Sequence, residues 1–263
     1  MPQVPVTLDP DPNDDRALQC WVDADAAGAK HRLLLDTGSR RSSVPREGAF
    51  ATAELHGTGT GRGASGDSAT DQLIRIRSLG VGDLTMEDVL VELQPENWSH
   101  PPLLGTHVFE PYVCAFRFSK GRIDVDVDDH ADAASWGDSW TPAVELCWDE
   151  TLVRAVWDTG AGITIVDQAW AEQHPEAVTV SGVQDHGIDS TGRAVPGQRG
   201  TLMGFTVHGT RFAGGQPCGI VDLSPLNAHM SRGPINMFLG LPQIRQADWV
   251  LDFPQRKIAV LAT

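Results

Sequence analysis

The chain has 263 residues, 41% of them hydrophobic, with 27 glycines and 17 prolines scattered among short apolar runs. That length suits one large domain or two lobes of roughly 130 residues, and the composition favours strands and tight turns over long helices. A net charge of -15 with only three lysines argues against a nucleic-acid-binding surface, and no run approaches the ~18 apolar residues of a membrane-spanning helix, so neither nucleic acid nor a membrane is an expected partner.

Residues 1–15, MPQVPVTLDPDPNDD, read as an acidic, proline-rich tail. They carry neither a basic nor an apolar leader segment, which sets the expectation of a cytoplasmic protein. From Ala17 to Val44 the pattern is a β-hairpin: ALQCWVDAD, a turn at Ala27-Gly28-Ala29, then HRLLLD running into Asp36-Thr37-Gly38. A glycine-rich segment follows, Gly57 to Thr70, then QLIRIRSLGVGDLTMEDVLVEL as two strands turning near Gly82-Asp83. Leu103-Leu104-Gly105 comes next, and AFRFSKGRIDVDV reads as a closing hairpin.

The second half repeats this order. AVELCWDETLVRAVWD is an opening hairpin that runs into Asp158-Thr159-Gly160, a turn-rich middle follows, and Phe238-Leu239-Gly240 matches Leu103-Leu104-Gly105. From the glycine onward the halves run without a gap: Gly105 to Ile123 and Gly240 to Ile258 both span eighteen positions. Such self-similarity marks a duplicated unit. The expected architecture is all-β, two similar β-barrel-like lobes related by a pseudo-two-fold axis with the site in the cleft between them. The lobes are placed at residues 16–130 and 131–263, with their boundary in the segment Asp128 to Thr141.

The two Asp-Thr-Gly turns carry the chemistry. Each aspartate follows an apolar strand and so lies at the floor of a dry cleft, while glycine lets other backbone come close. The threonine hydroxyls are placed to tie the two loops together. Two carboxyls held ~3 Å apart cannot both ionise; they share a proton and can activate a water between them.

On LLLDTGS with LLG and AVWDTGA with FLG, the chain resembles the aspartic peptidases of the pepsin and retropepsin clan, and its short lobes are similar to two fused retropepsin subunits. The resemblance implies the acid-protease fold, a peptide or protein substrate, Asp36 and Asp158 as the catalytic pair, and no metal or other cofactor. It implies support of the dyad by Thr37, Gly38, Ser39, Thr159, Gly160 and Ala161, and by Leu104, Gly105, Leu239 and Gly240 passing beneath the loops. Ser39 is expected to hydrogen-bond the outer oxygen of Asp36, which Ala161 cannot do for Asp158, so the two environments should be unequal. The flap tyrosine of pepsins is missing: no Tyr or Trp lies between Glu54 and Gln94. By position the flap candidates are Ser65, Gly66, Asp67 and Ser68 in the first lobe and Asp189, Ser190, Thr191 and Gly192 in the second; the same segments also read as plain hairpin turns.

Other signals point elsewhere. The GxGxxG of Gly61 to Gly66 lacks the βαβ setting of a dinucleotide site. Cys20, Cys114, Cys147 and Cys218 lie far apart without a CxxC pair and read as small buried hydrophobes. Trp157 is expected in the core. The functional expectation is a single-chain, monomeric aspartic endopeptidase; the alternative is a peptide-binding or assembly module that keeps the fold without turnover.

Overall fold

The computed structural model describes residues 1–96, 98, 100–128, 133–230 and 233–261. The molecule is all-β, with two similar lobes and a cleft between them. The described strands fall into three sheets: eight strands in the first lobe, nine in the second, and six in a sheet shared by both. The expected boundary between residues 130 and 131 lies outside the described residues.

Each lobe begins with the hairpin its alternating pattern predicts. Asp14–Ala26 pairs with Ala29–Leu35 around Ala27-Gly28, both with positive φ (50° and 79°), the two-residue turn whose twist suits paired strands. Ala143–Trp148 pairs with Thr151–Trp157 in the same way, with Asp149 at φ 49°. Period-two alternation buries Val22, Ala24, Leu33 and Leu35 in the first lobe and Val144, Leu146, Val153 and Ala155 in the second.

The shared sheet carries the symmetry. Val113–Arg117 lies antiparallel to Trp249–Asp252 with Ala115 opposite Val250. Each of these residues stands ten positions beyond its lobe's motif glycine, Gly105 or Gly240. Equivalent residues therefore face one another, and the pseudo-two-fold axis passes between them. Around the axis the aromatic rings interlock: Trp157 meets Phe116 at 5.1 Å and Trp249 at 5.8 Å, both edge-on. Trp157 is wholly buried and anchors the strand that delivers Asp158.

Residues 1–15 are not a tail. Gln3–Pro5 forms the edge of the shared sheet against Arg122–Val125, with Val4 opposite Ile123, and Thr7–Asp11 pairs with Asp14–Ala26, with Leu8 opposite Cys20. Val4 and Val6 are buried. The spaced apolar residues bury their side chains against the lobe, and the prolines are tolerated because an edge strand leaves N–H positions unpaired.

Candidate active site

The strands Ala29–Leu35 and Thr151–Trp157 deliver Asp36 and Asp158 to the centre of the molecule. Beside each runs a short parallel strand, Leu103–Leu104 or Met237–Leu239. The Asp36 N–H donates to the Leu104 carbonyl at 3.0 Å, and the Asp158 N–H to the Leu239 carbonyl at 3.0 Å. Leu104 and Leu239 are wholly buried beneath the loops. Gly105 and Gly240 then pass so close to the chain after each loop that a Cβ would not fit: at Gly105 it would stand 2.5 Å from the Arg41 carbonyl carbon, and at Gly240 it would strike the Ile163 backbone. Two hydroxyls missed by sequence reasoning steady them. The Gly105 N–H donates to Ser42 Oγ at 3.1 Å and the Gly240 N–H to Thr164 Oγ1 at 2.9 Å. The available signal was a hydroxyl residue six positions after each aspartate.

The buried threonines lock the loops together. The Thr37 hydroxyl donates to the Trp157 carbonyl at 2.8 Å and accepts the Thr159 N–H at 3.0 Å. Reciprocally, the Thr159 hydroxyl donates to the Leu35 carbonyl at 2.7 Å and accepts the Thr37 N–H at 3.1 Å. Each glycine in turn makes room for the opposite carboxylate: a Cβ on Gly38 would lie 2.7 Å from Asp158 Oδ2, and one on Gly160 would lie 2.5 Å from Asp36 Oδ1. The absent side chains are what bring the two carboxyls face to face.

Both aspartates are half-buried, and burial raises the pKa of each. Asp36 lies well above the usual carboxylate range, because burial is joined by the negative charge of Asp158 and by a hydrogen bond between the two carboxyls. Asp158 is raised against the opposing pull of the Gly160 N–H, at 2.9 Å from Oδ1, the Asp36 carboxyl, and the Ala161 and Gly38 N–H groups. The two carboxyls, both raised and in contact, share one proton, and the titration belongs to the dyad.

The Ser39 side chain departs from expectation. Its hydroxyl donates to the Arg41 carbonyl at 3.0 Å, and it is the Ser39 N–H that reaches Asp36 Oδ1, at 3.0 Å. The local turn offers the hydroxyl a nearer carbonyl two residues on, a bond that serine readily takes. Ala161 lies at the equivalent place, and its carbonyl accepts the Leu241 N–H at 3.0 Å as that of Ser39 accepts the Thr106 N–H at 2.9 Å.

The flap candidates form the tips of two hairpins, Leu55–Arg62 with Ser68–Val81 and Val178–Ile188 with Ala194–Leu202. Ser65, Gly66 and Asp67 lie in the first turn and Ser68 opens its return strand opposite Arg62; Asp189, Ser190, Thr191 and Gly192 make the second turn. The GxGxxG glycines fall in the first of these hairpins. The tips meet. Asp189 Oδ2 accepts the Ser65 hydroxyl at 2.6 Å and its N–H at 3.0 Å, while Asp67 Oδ2 pairs with Arg193 Nε at 3.0 Å. Asp189 Oδ1 holds its own turn through the Thr191 N–H and hydroxyl at 2.9 and 2.6 Å. Burial pushes the Asp189 carboxyl up, but hydrogen bonds from Ser65 and Thr191 outweigh it and the group lies below its ordinary value. Gly66 abuts Pro225 and Gly192 abuts Trp98, so each tip also rests on the body of the molecule. Arg193 and Trp98 carry no local sequence signal for this role; Trp98 lies just beyond the stretch from Glu54 to Gln94, which holds no Tyr or Trp.

Among the described residues no cluster of His, Cys, Asp and Glu is arranged to hold a metal ion. Cys20, Cys114 and Cys218 are buried thiols and Cys147 is partly exposed.

A family model described as aspartyl protease matches residues 22–108, a stretch that contains Asp36, Leu104 and Gly105. The whole structure is similar to that of an aspartic proteinase from Irpex lacteus, with a TM-score of 0.57 and 13% identity over 99% of this chain and 97% of that one. The search of curated proteins found no match. The chain has the fold of the aspartic peptidases of the pepsin and retropepsin type, and its first lobe carries the sequence pattern of the aspartyl proteases.

Proposed function

We propose that the protein is an aspartic endopeptidase that works as a single chain, with Asp36 and Asp158 as its catalytic pair. The observation that carries this reading is the crossing of the loops, in which each glycine admits the other loop's carboxyl. A protein that only bound peptides would have no physical use for two partly desolvated carboxyls that repel one another.

A substrate would lie extended in the cleft, its backbone alongside the flap strands. The ionised member of the pair takes a proton from a water as the water oxygen attacks the scissile carbonyl carbon. The protonated member donates a hydrogen bond to the carbonyl oxygen and neutralises it as the tetrahedral diol forms. The first then passes its proton to the leaving nitrogen, the C–N bond breaks, and a diol proton returns to the second. The dyad ends as it began, one proton between two carboxyls. Closed flaps keep bulk water from this sequence.

Mass-spectrometric cleavage profiling with a diverse peptide library, from about pH 3 to 7, tests the proposal. Cleavage by the natural chain and its loss, by about 10³-fold or more, in Asp36→Asn and Asp158→Asn is expected; full activity in either variant overturns the dyad.

A further inference from the structure

Two walls flank the dyad at equivalent positions of the halves. In the first lobe Ser43–Val44 lies parallel to Leu84–Leu93, with Ser43 opposite Glu92. In the second, Thr164–Asp167 lies parallel to Gln216–Val221, with Ile165 opposite Gly219. Ser43 and Ile165 each stand seven residues beyond their aspartate, so the two pairs are counterparts.

Their chemistry is opposite. Arg41 Nη1 lies 3.5 Å from Glu92 Oε1, and Gln94 Nε2 donates to Ser43 Oγ at 3.3 Å. Asp71 pairs with Gly59 in the first flap's stem, where a Cβ would stand 3.0 Å from Arg41 Nη1 and 3.4 Å from Glu92 Oε1. Arg41 is thus paired with Glu92, and Asp71 lies near enough to Glu92 for the two negative charges to oppose one another. Burial raises both carboxyls, and Asp71 raises Glu92 further against the pull of Arg41. On the second wall Ile163 replaces Arg41 and Ile165 replaces Ser43, and a Cβ on Gly219 would meet Ile165 Cδ1 at 3.1 Å and Ile163 Cδ1 at 3.5 Å. That wall faces the cleft: Ile165, Phe238 and Ala64 pack on Val195, Val221 and Leu223, and Ala64 belongs to the tip of the first lobe's flap.

We propose that the walls read the substrate on opposite sides of the scissile bond, the first lobe taking a lysine or arginine side chain against Asp71 and Glu92, the second a branched aliphatic one against Ile163, Ile165 and Val221. This rests on the peptidase reading above. An extended peptide that crosses the pseudo-two-fold axis at its scissile bond meets the two walls at mirror positions. A cation balances the carboxylate that Arg41 leaves uncompensated. An acidic side chain would add a third negative charge, and an apolar one would desolvate the charges without replacing their partners.

Cleavage sites in a randomised peptide library should show Lys or Arg enriched at one position and Val, Ile or Leu at its mirror position. Replacing that Lys by the neutral norleucine in a matched peptide should lower kcat/KM about tenfold, the worth of one partly buried charge pair. In Asp71→Asn/Glu92→Gln the ratio should fall to about one while the aliphatic preference persists, and the near-isosteric Glu92→Gln alone should move it the same way by less. Enrichment of acidic or apolar residues at the first position, or an unchanged ratio in the variant, overturns the proposal. If no peptide is cut, the peptidase reading fails and the walls are judged by affinity selection of the same library on the intact protein. Enrichment of basic peptides that the double variant loses upholds them, and equal recovery of basic and neutral peptides overturns them.

Discussion

In the first lobe the Asp36 N–H bonds the Leu104 carbonyl and the Thr37 hydroxyl reaches across to the Trp157 carbonyl; in the second, Asp158 bonds Leu239 and Thr159 reaches the Leu35 carbonyl, every distance between 2.7 and 3.0 Å. The backbone frames of the two loops are thus matched atom for atom. What surrounds them is not. Ser39 corresponds to Ala161, Arg41 to Ile163 and Ser43 to Ile165. The difference teaches that the duplicated strand, turn and glycine hold the two carboxyls in place, while the side chains beyond that frame are free to make the halves unequal in charge and in what they contact.

Replacing an aspartate breaks the pairing most. Asp36→Asn and Asp158→Asn should each lower kcat/KM by about 10³-fold or more in a fluorogenic peptide assay. Both should also gain stability at neutral pH. A carboxyl whose folded pKa is raised binds more protons folded than unfolded, so stability falls as pH rises from the ordinary carboxylate value to the raised one, and asparagine removes that loss. Thermal melts at pH 4 and pH 7 should show the gain at pH 7 and little at pH 4 for both variants.

Next in size is the threonine interlock, where symmetry rather than asymmetry is expected. Thr37→Val and Thr159→Val each remove one donated and one accepted hydrogen bond at a buried site. Each should cost about 3 kcal/mol, read as equal falls in denaturation midpoint at unchanged m-value. Unequal losses would show that the frame itself is asymmetric.

A smaller effect is expected at the flaps. Asp189→Ala removes the acceptor that joins the tips and should raise KM about fivefold with a lesser change in kcat, while speeding amide hydrogen exchange in both turns. In the natural chain the sign is set by the depressed Asp189 pKa: the bridge is intact above the ordinary carboxylate value and weakens as pH falls through the lowered one. Asp67 and Arg193 at the same bridge keep part of the contact, and His100, whose pKa burial lowers despite the opposing charge of Asp189, adds a positive neighbour when it protonates in acid. Exchange at the tips should therefore quicken on acidification in the natural chain and not in Asp189→Ala. The smallest change belongs to Ser39→Ala: with the hydroxyl on the Arg41 carbonyl, neither limb of the pH profile of kcat/KM should move by more than about 0.3 unit. A larger shift would restore the serine to the dyad.

The dyad was legible because its signals are local and repeated: an apolar strand, Asp-Thr-Gly, and an apolar pair with glycine, twice in the same order. The shared sheet could be anticipated from the gap-free stretch after each glycine. Residues 1–15 were misread because proline and aspartate dominate their composition, while the cause of their ordering, Val4 over Ile123 and Leu8 beside Cys20, comes from strands far along the chain.

The sequence by itself determined the two carboxyls, the glycines that let them meet and the duplication that pairs them, since each depends on a few adjacent residues with restricted conformations. The tertiary structure alone decided which hydroxyl found which carbonyl, how Asp189 and Arg193 joined the flap tips, and that Arg41, Asp71 and Glu92 share one wall while Ile163, Ile165 and Val221 share the other. Those contacts join residues far apart in the chain, and their partners are chosen by strand register, which no short motif encodes.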